Sequence, residues 1–163
     1  MSVFKTTFSR ALAVIPSDNA NVPFPAPATS GTNTSVVVAS LVSSTSNFLT
    51  SRVATGDIVY NTTDGSAATV LLVVNATTLL LNADIFTATT KDFVVYQASS
   101  QTTIGNQGCF LYIGGAGNVK VTTIGQDILT FSGALAGTVL PIQVLKVHSL
   151  ASGTTATLIN ALW

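Results

Sequence analysis

Residues Gly108–His148 constrain the fold more than any other stretch of the chain. Cys109–Ile113 is a nearly continuous apolar run, of the length and character of a buried strand. Gly114-Gly115-Ala116-Gly117 follows, and its glycines supply the backbone freedom of a tight hairpin reversal. Val119 and Val121 then alternate with Asn118, Lys120 and Thr122, the period of two that marks a strand with one wet face. Ile124–Asp127 reads as a turn, Ile128–Phe131 as a strand and Gly133–Gly137 as a loop or tight corner. Val139–Val147 reads as a strand in which Pro141 sits at an edge or close to the start. The pattern predicts a compact antiparallel β domain and contains no catalytic grouping.

Composition points the same way. Glu is absent, while Thr, Val and Ser are abundant, a bias toward strands and turns over helices. Only 7% of the 163 residues are charged, against roughly 25% in ordinary soluble domains. The net charge is zero, so there is no electrostatic footprint for nucleic acid or for an anionic membrane. A neutral chain that is 47% hydrophobic is poorly soluble alone, which predicts that much of its surface is covered in an assembly. The single cysteine, Cys109, excludes an intrachain disulfide and a cysteine zinc cluster, and in its apolar run it reads as a small buried hydrophobe. No run approaches the roughly 18 apolar residues of a membrane span; Val70–Val74 stops at Asn75. The apolar patch Ala11–Ile15 is too short for a signal peptide, so synthesis and assembly in a cytoplasm are expected.

Residues 1–15 read as an N-terminal arm or edge strand, and Pro16, Pro23, Pro25 and Pro27 keep the chain extended to Ala28. Beyond it, strands are expected at Val36–Val42, Ile58–Asn61, Ala67–Asn75, Thr77–Asn82 and Phe93–Gln97, with a hairpin at Asp64-Gly65. Such closely spaced short strands suggest a small SH3-like or OB-like barrel, and Gln97–Gln107 is a polar link back. Leu158–Trp163 is an apolar tail expected to dock on the core or on a neighbouring subunit. The expected architecture is all-β. Residues 1–28 form an arm and Pro-rich connector, 29–107 an inserted β-barrel module, and 108–163 an antiparallel β-sandwich or barrel completed by parts of 1–28.

Candidate chemistry is sparse. The GGAG loop lacks the helix that a phosphate cradle needs behind it. His148 is the only histidine and reads as a polar residue at a strand end, leaving no parts for a histidine metal site or a Ser-His-Asp triad. Asp57 and Asp64 flank one hairpin, and Asp84 and Asp92 stand at element ends, where turn chemistry accounts for them. A Ca²⁺ site from Asp57, Asn61, Asp64 and backbone carbonyls is the weaker alternative, because the spaced acids of a calcium loop are missing. Asn33, Asn61 and Asn75 begin glycosylation triplets that carry no meaning without a secretory signal. Tyr60, Phe93, Tyr96 and Phe110 look like core aromatics; solvent-facing Tyr60 and Tyr96 would instead mark a sugar-binding platform. No enzyme activity, cofactor or metal is expected.

Four motifs carry a resemblance: IPSD (Ile15–Asp18), LYIGGAGNVKV (Leu111–Val121), TFSGALAGTVLPIQVLKV (Thr130–Val147) and SGTTATLINALW (Ser152–Trp163). In this order they resemble the head-spike base and capsid decoration proteins of tailed phages and gene-transfer-agent particles. The segment Thr29–Gln107 departs from that pattern. It resembles a module common in marine phage structural proteins, carried here by Val53–Val70 and Leu79–Phe86. The resemblance implies a non-enzymatic virion structural protein on the outer capsid surface, made in the host cytoplasm, either a decoration (cement) protein or a head-spike base. Its implied partners are the major capsid protein and itself, as a trimer or pentamer, with a head fibre as a further partner and neither nucleic acid nor membrane. Capsid or intersubunit contacts are expected at Phe4, Phe8, Pro16, Pro23, Phe24, Pro25 and Trp163. The alternative is a carbohydrate- or receptor-binding module of a fibre or spike, using the Asn61–Ser66 region.

Overall fold

The computed structural model describes residues 7–98 and 108–163. The fold is all-β: among the described residues twelve strands form two antiparallel six-stranded sheets, with one 3-10 turn at Leu150–Ser152. Among the described residues no helix is long and apolar enough to cross a membrane.

The first sheet runs, in spatial order, β1 (Ala11–Ala13), β12 (Thr157–Leu162), β8 (Cys109–Gly115), β11 (Thr138–Val147), β9 (Gly117–Thr123) and β10 (Ile128–Ala134). Its core follows the period-two reading, since Leu111, Ile113, Val119, Val121 and Val144 are wholly buried. Two local expectations are corrected. Pro141 lies within a strand paired on both sides, but at the break in register between Leu140 and Val144. A bulge of that kind tolerates a residue that cannot donate to the ladder. The GGAG segment is a corner, not a hairpin, because β11 lies between β8 and β9. Gly114 is required by close approach of the neighbouring strand: a Cβ there would fall 2.7 Å from the Leu158 backbone oxygen.

The second sheet runs β2 (Pro27–Thr32), β7 (Asp92–Tyr96), β4 (Ile58–Asn61), β5 (Ser66–Asn75), β6 (Thr78–Leu81) and β3 (Ser40–Val42). It curls into a half-barrel because β5 is shared. Its residues 66–69 pair with β4 and its residues 70–75 with β6, and two register shifts bend the second part. A bridge from Ser35 to Val42 links the two edges. Phe48, Phe86 and Phe93 fill the interior, with Phe93 tilted against Phe48 and edge-on to Phe86. The expected strand Val36–Val42 shrinks to its last three residues. Ala39 turns the backbone into the left-handed region (φ 51°), which leaves Val36, Val37 and Val38 outside.

Residues 14–26 form no regular element and bend at Asp18-Asn19 and at Pro25, and they are not a free arm carrying little core. Val22 is buried in the first core, and Ala20 packs with Ile58, Tyr60, Ala67 and Tyr96 of the second sheet. Ser17 donates its hydroxyl to Ala67 O at 2.9 Å, while its N–H bonds Val147 O. Asn19 O accepts from Thr69 Oγ1 at 2.8 Å and from Asn82 Nδ2 at 2.7 Å. The segment therefore joins the two sheets, with Leu12 and Ile15 completing the small shared cluster.

Candidate functional site

Most of the expected contact residues gather at one edge. Phe4 lies outside the described residues, and Pro23 is buried. Phe8 tilts on Phe110 with ring centres 5.6 Å apart, and Phe24 meets Trp163 edge-on at 5.5 Å. The Arg10 guanidinium lies 5.4 Å from the centre of the Phe24 ring, a cation–π arrangement, and donates to Pro25 O at 3.0 Å. Trp163 is placed by antiparallel pairing: its N–H bonds Arg10 O, and its carbonyl accepts from Ser9 and Arg10. Phe8, Pro16, Phe24, Pro25 and Trp163 are all half-buried, so the ridge is anchored in the fold and keeps an outer face.

A second cluster was invisible in the sequence. Asp18, in the joining segment, reaches the end of β11, 130 residues away, where its Oδ1 lies 2.8 Å from His148 Nδ1. His148 Nε2 lies 2.9 Å from Thr122 Oγ1. The other Asp18 oxygen accepts from the hydroxyls of Ser149 and, at 2.9 Å, Ser152. Lys146 Nζ bonds the Asp18 carbonyl at 3.0 Å. The Ser149 hydroxyl, with His148 and Ser152 adding to it, holds the Asp18 carboxyl well below the usual carboxylate range. Carboxylate, imidazole and hydroxyl stand in the order of a hydrolytic triad, although sequence reasoning found no parts for one. Thr122, however, is paired on both sides within the sheet, to Ile128 and to Lys146. What the arrangement does is hold residue 18, and with it the joining segment, against the first sheet.

Three further acids accept hydrogen bonds. Asp57 is buried, accepts from the N–H groups of Ala54 and Ala98, and has its carboxyl pushed up by burial. Asp64 pairs with Lys91 at 2.8 Å and accepts from Asn61 Nδ2, contacts that hold its carboxyl below its ordinary value. Asp84 accepts from Ala39 N–H. Among the described residues no three His, Cys, Asp or Glu side chains come together to hold a metal. Tyr60 and Tyr96 are buried and stack edge-on at 5.3 Å, so neither offers a platform for a sugar. The Tyr60 hydroxyl, beside the backbone of Ile15, makes no well-formed hydrogen bond, and burial pushes it upward.

Large hydrophobic side chains are exposed elsewhere on the surface. Val36, Val37 and Val38 are exposed beside β3, and Leu71, Leu72 and Val74 are exposed along the outside of β5. On the first sheet Tyr112 lies opposite Val139, both partly exposed, and Leu158 is 75% exposed. No family model, curated protein or solved structure matches the chain.

Proposed function

We propose that this chain is a non-enzymatic structural protein of a virion surface, a capsid decoration or head-spike base protein that binds the major capsid protein and self-associates. One observation carries the reading. Among the described residues fourteen large hydrophobic side chains are exposed, more than the twelve charged side chains of the whole chain, six basic and six acidic. A surface of this kind is the signature of one that is covered in use. Each Å² of apolar burial contributes about 25 cal/mol before the costs of association, and repeated copies add avidity. Closed cyclic symmetry is the expected form, a trimer for a cement role and a pentameric ring at a vertex for a spike base.

The ridge of Phe8, Phe24 and Trp163 with Arg10 is the proposed shell contact, since aromatic and arginine side chains dominate interface hot spots. Pro16 and Pro25 belong to the same proposed surface. The receptor-binding alternative asked for solvent-facing Tyr60 and Tyr96, and their burial leaves it without that support. Co-sedimentation with empty shells of the cognate virus tests the ridge. Phe24→Ser is expected to keep the fold and lower shell affinity by ~10-fold or more, and unchanged occupancy would remove the ridge from the proposal.

A further inference from the structure

We propose that Lys91 and Asn61 become joined by an isopeptide bond that the chain forms on itself, with Asp64 carrying the protons. Asn61 ends β4 and Lys91 immediately precedes β7, on strands paired so that Asn61 faces Phe93. The Asp64 carboxylate bridges the two side chains: Oδ1 accepts from Lys91 Nζ at 2.8 Å and Oδ2 from Asn61 Nδ2 at 2.9 Å. The Asn61 carbonyl oxygen accepts two backbone N–H groups, of Thr63 at 3.1 Å and of Asp64 at 3.0 Å. Paired donors of this kind stabilise the charge that develops on the oxygen of a tetrahedral intermediate. Ile85 O holds the Asn61 amide nitrogen at 2.7 Å, and the backbone N–H of Lys91 is fixed at 2.8 Å by the buried Asn33. Asn61 is wholly buried, so bulk water does not reach its carbonyl. The Asp64 carboxylate thus links a candidate nucleophile, the Lys91 amine, to an amide whose carbonyl oxygen already holds two N–H donors.

The step balances without any co-reactant. Lys91 gives a proton to Asp64, and the freed amine attacks Asn61 Cγ. Its lone pair forms the new C–N bond while the carbonyl pair moves onto Oδ1, between the two N–H donors. Asp64 then delivers a proton to Nδ2 and takes one from the attacking nitrogen; the C–Nδ2 bond breaks and ammonia leaves. The product is a secondary amide that ties the end of β4 to the start of β7. At rest the carboxyl is held low by its contact with Lys91, so the first proton transfer is the uphill step. Each molecule reacts once, and a slow reaction is enough.

The test is the intact mass of the purified full chain after prolonged incubation, followed by proteolysis and fragment sequencing by mass spectrometry. Lys91→Arg and Asp64→Asn serve as variants, since both side chains are partly exposed and circular dichroism checks that each variant folds. The expected result is a deficit of one ammonia and a branched peptide joining the fragments that carry Asn61 and Lys91. The deficit should vanish in Lys91→Arg and form ~100-fold or more slowly in Asp64→Asn. A wild-type chain of full mass would overturn the proposal. A deficit that persists in Lys91→Arg would mean a succinimide at Asn61, and loss of water in place of ammonia would make Asp64 the electrophile; either result also overturns it.

Discussion

Replacing Asp18 by Asn keeps its shape and removes its charge, and the cost can be worked from the contacts. The carboxylate accepts from His148 Nδ1 at 2.8 Å, from Ser152 Oγ at 2.9 Å and from Ser149 Oγ. Hydrogen bonds to charged groups contribute about 1.5–3 kcal/mol each when buried. The Asp18 side chain is 38% exposed, which brings each down toward the 0.2–1 kcal/mol, roughly, of solvent-screened pairs. Asn still accepts through one oxygen, so a loss of about 1–2 kcal/mol is expected, or a Tm lower by roughly 3–6 °C for a chain of this size. The pH dependence fixes the cause. A carboxyl depressed in the folded state stabilises fully above its unfolded value, about 3.9, and ceases to as the pH falls toward its folded value. The gap between wild type and Asp18→Asn in thermal unfolding should close as the pH falls below about 4. Equal Tm values at neutral pH, or a gap that widens as the pH falls below about 4, would refute the reasoning.

Other expectations follow from burial. Cys109 is 2% exposed, donates to Val144 O and has its thiol pushed up to about 12 by burial. A thiol reagent at pH near 8 should therefore label the native protein only as it unfolds; immediate labelling would contradict the packing. Leu111→Ala empties a wholly buried site and should cost about 2–5 kcal/mol in denaturant unfolding, while a loss below about 1 kcal/mol would show the site collapses freely. Deleting residues 1–28 removes β1, Ala20 and Val22 and should give an aggregating product; a soluble β domain would show that the joining segment is dispensable. Excising residues 29–107 behind a short linker leaves the first core intact and exposes Leu12 and Ile15. A folded but less stable protein is expected, and a molten one would mean that the cluster around Tyr60 is a shared core.

Legibility varied with the range of the interactions. The strands of Gly108–Val147 were readable because alternation is local: Val119 and Val121 point inward for the same reason that Lys120 does not. The Asp64-Gly65 hairpin was readable because Asn61, Asp64 and Gly65 supply its bonds within five residues. Apolar content misled at Val36–Val38, where a positive φ at Ala39, not hydropathy, decides which residues enter the core. The GGAG corner misled because its glycines answer to Leu158 and Ala156, some forty residues on. The Asp18 cluster left no local trace. His148 was an isolated histidine until the fold brought a carboxylate from 130 residues away. The prolines kept the segment out of regular structure but did not name its neighbours, since φ is a local property and burial is not.

The central claim is assembly on a capsid, and the mass of the purified protein by light scattering, with and without empty capsids, tests it most directly. A closed oligomer that binds capsids stoichiometrically is predicted, a trimer at many sites for a cement role or a pentamer at few sites for a spike base. A monomer whose mass is unchanged by capsids would contradict the account.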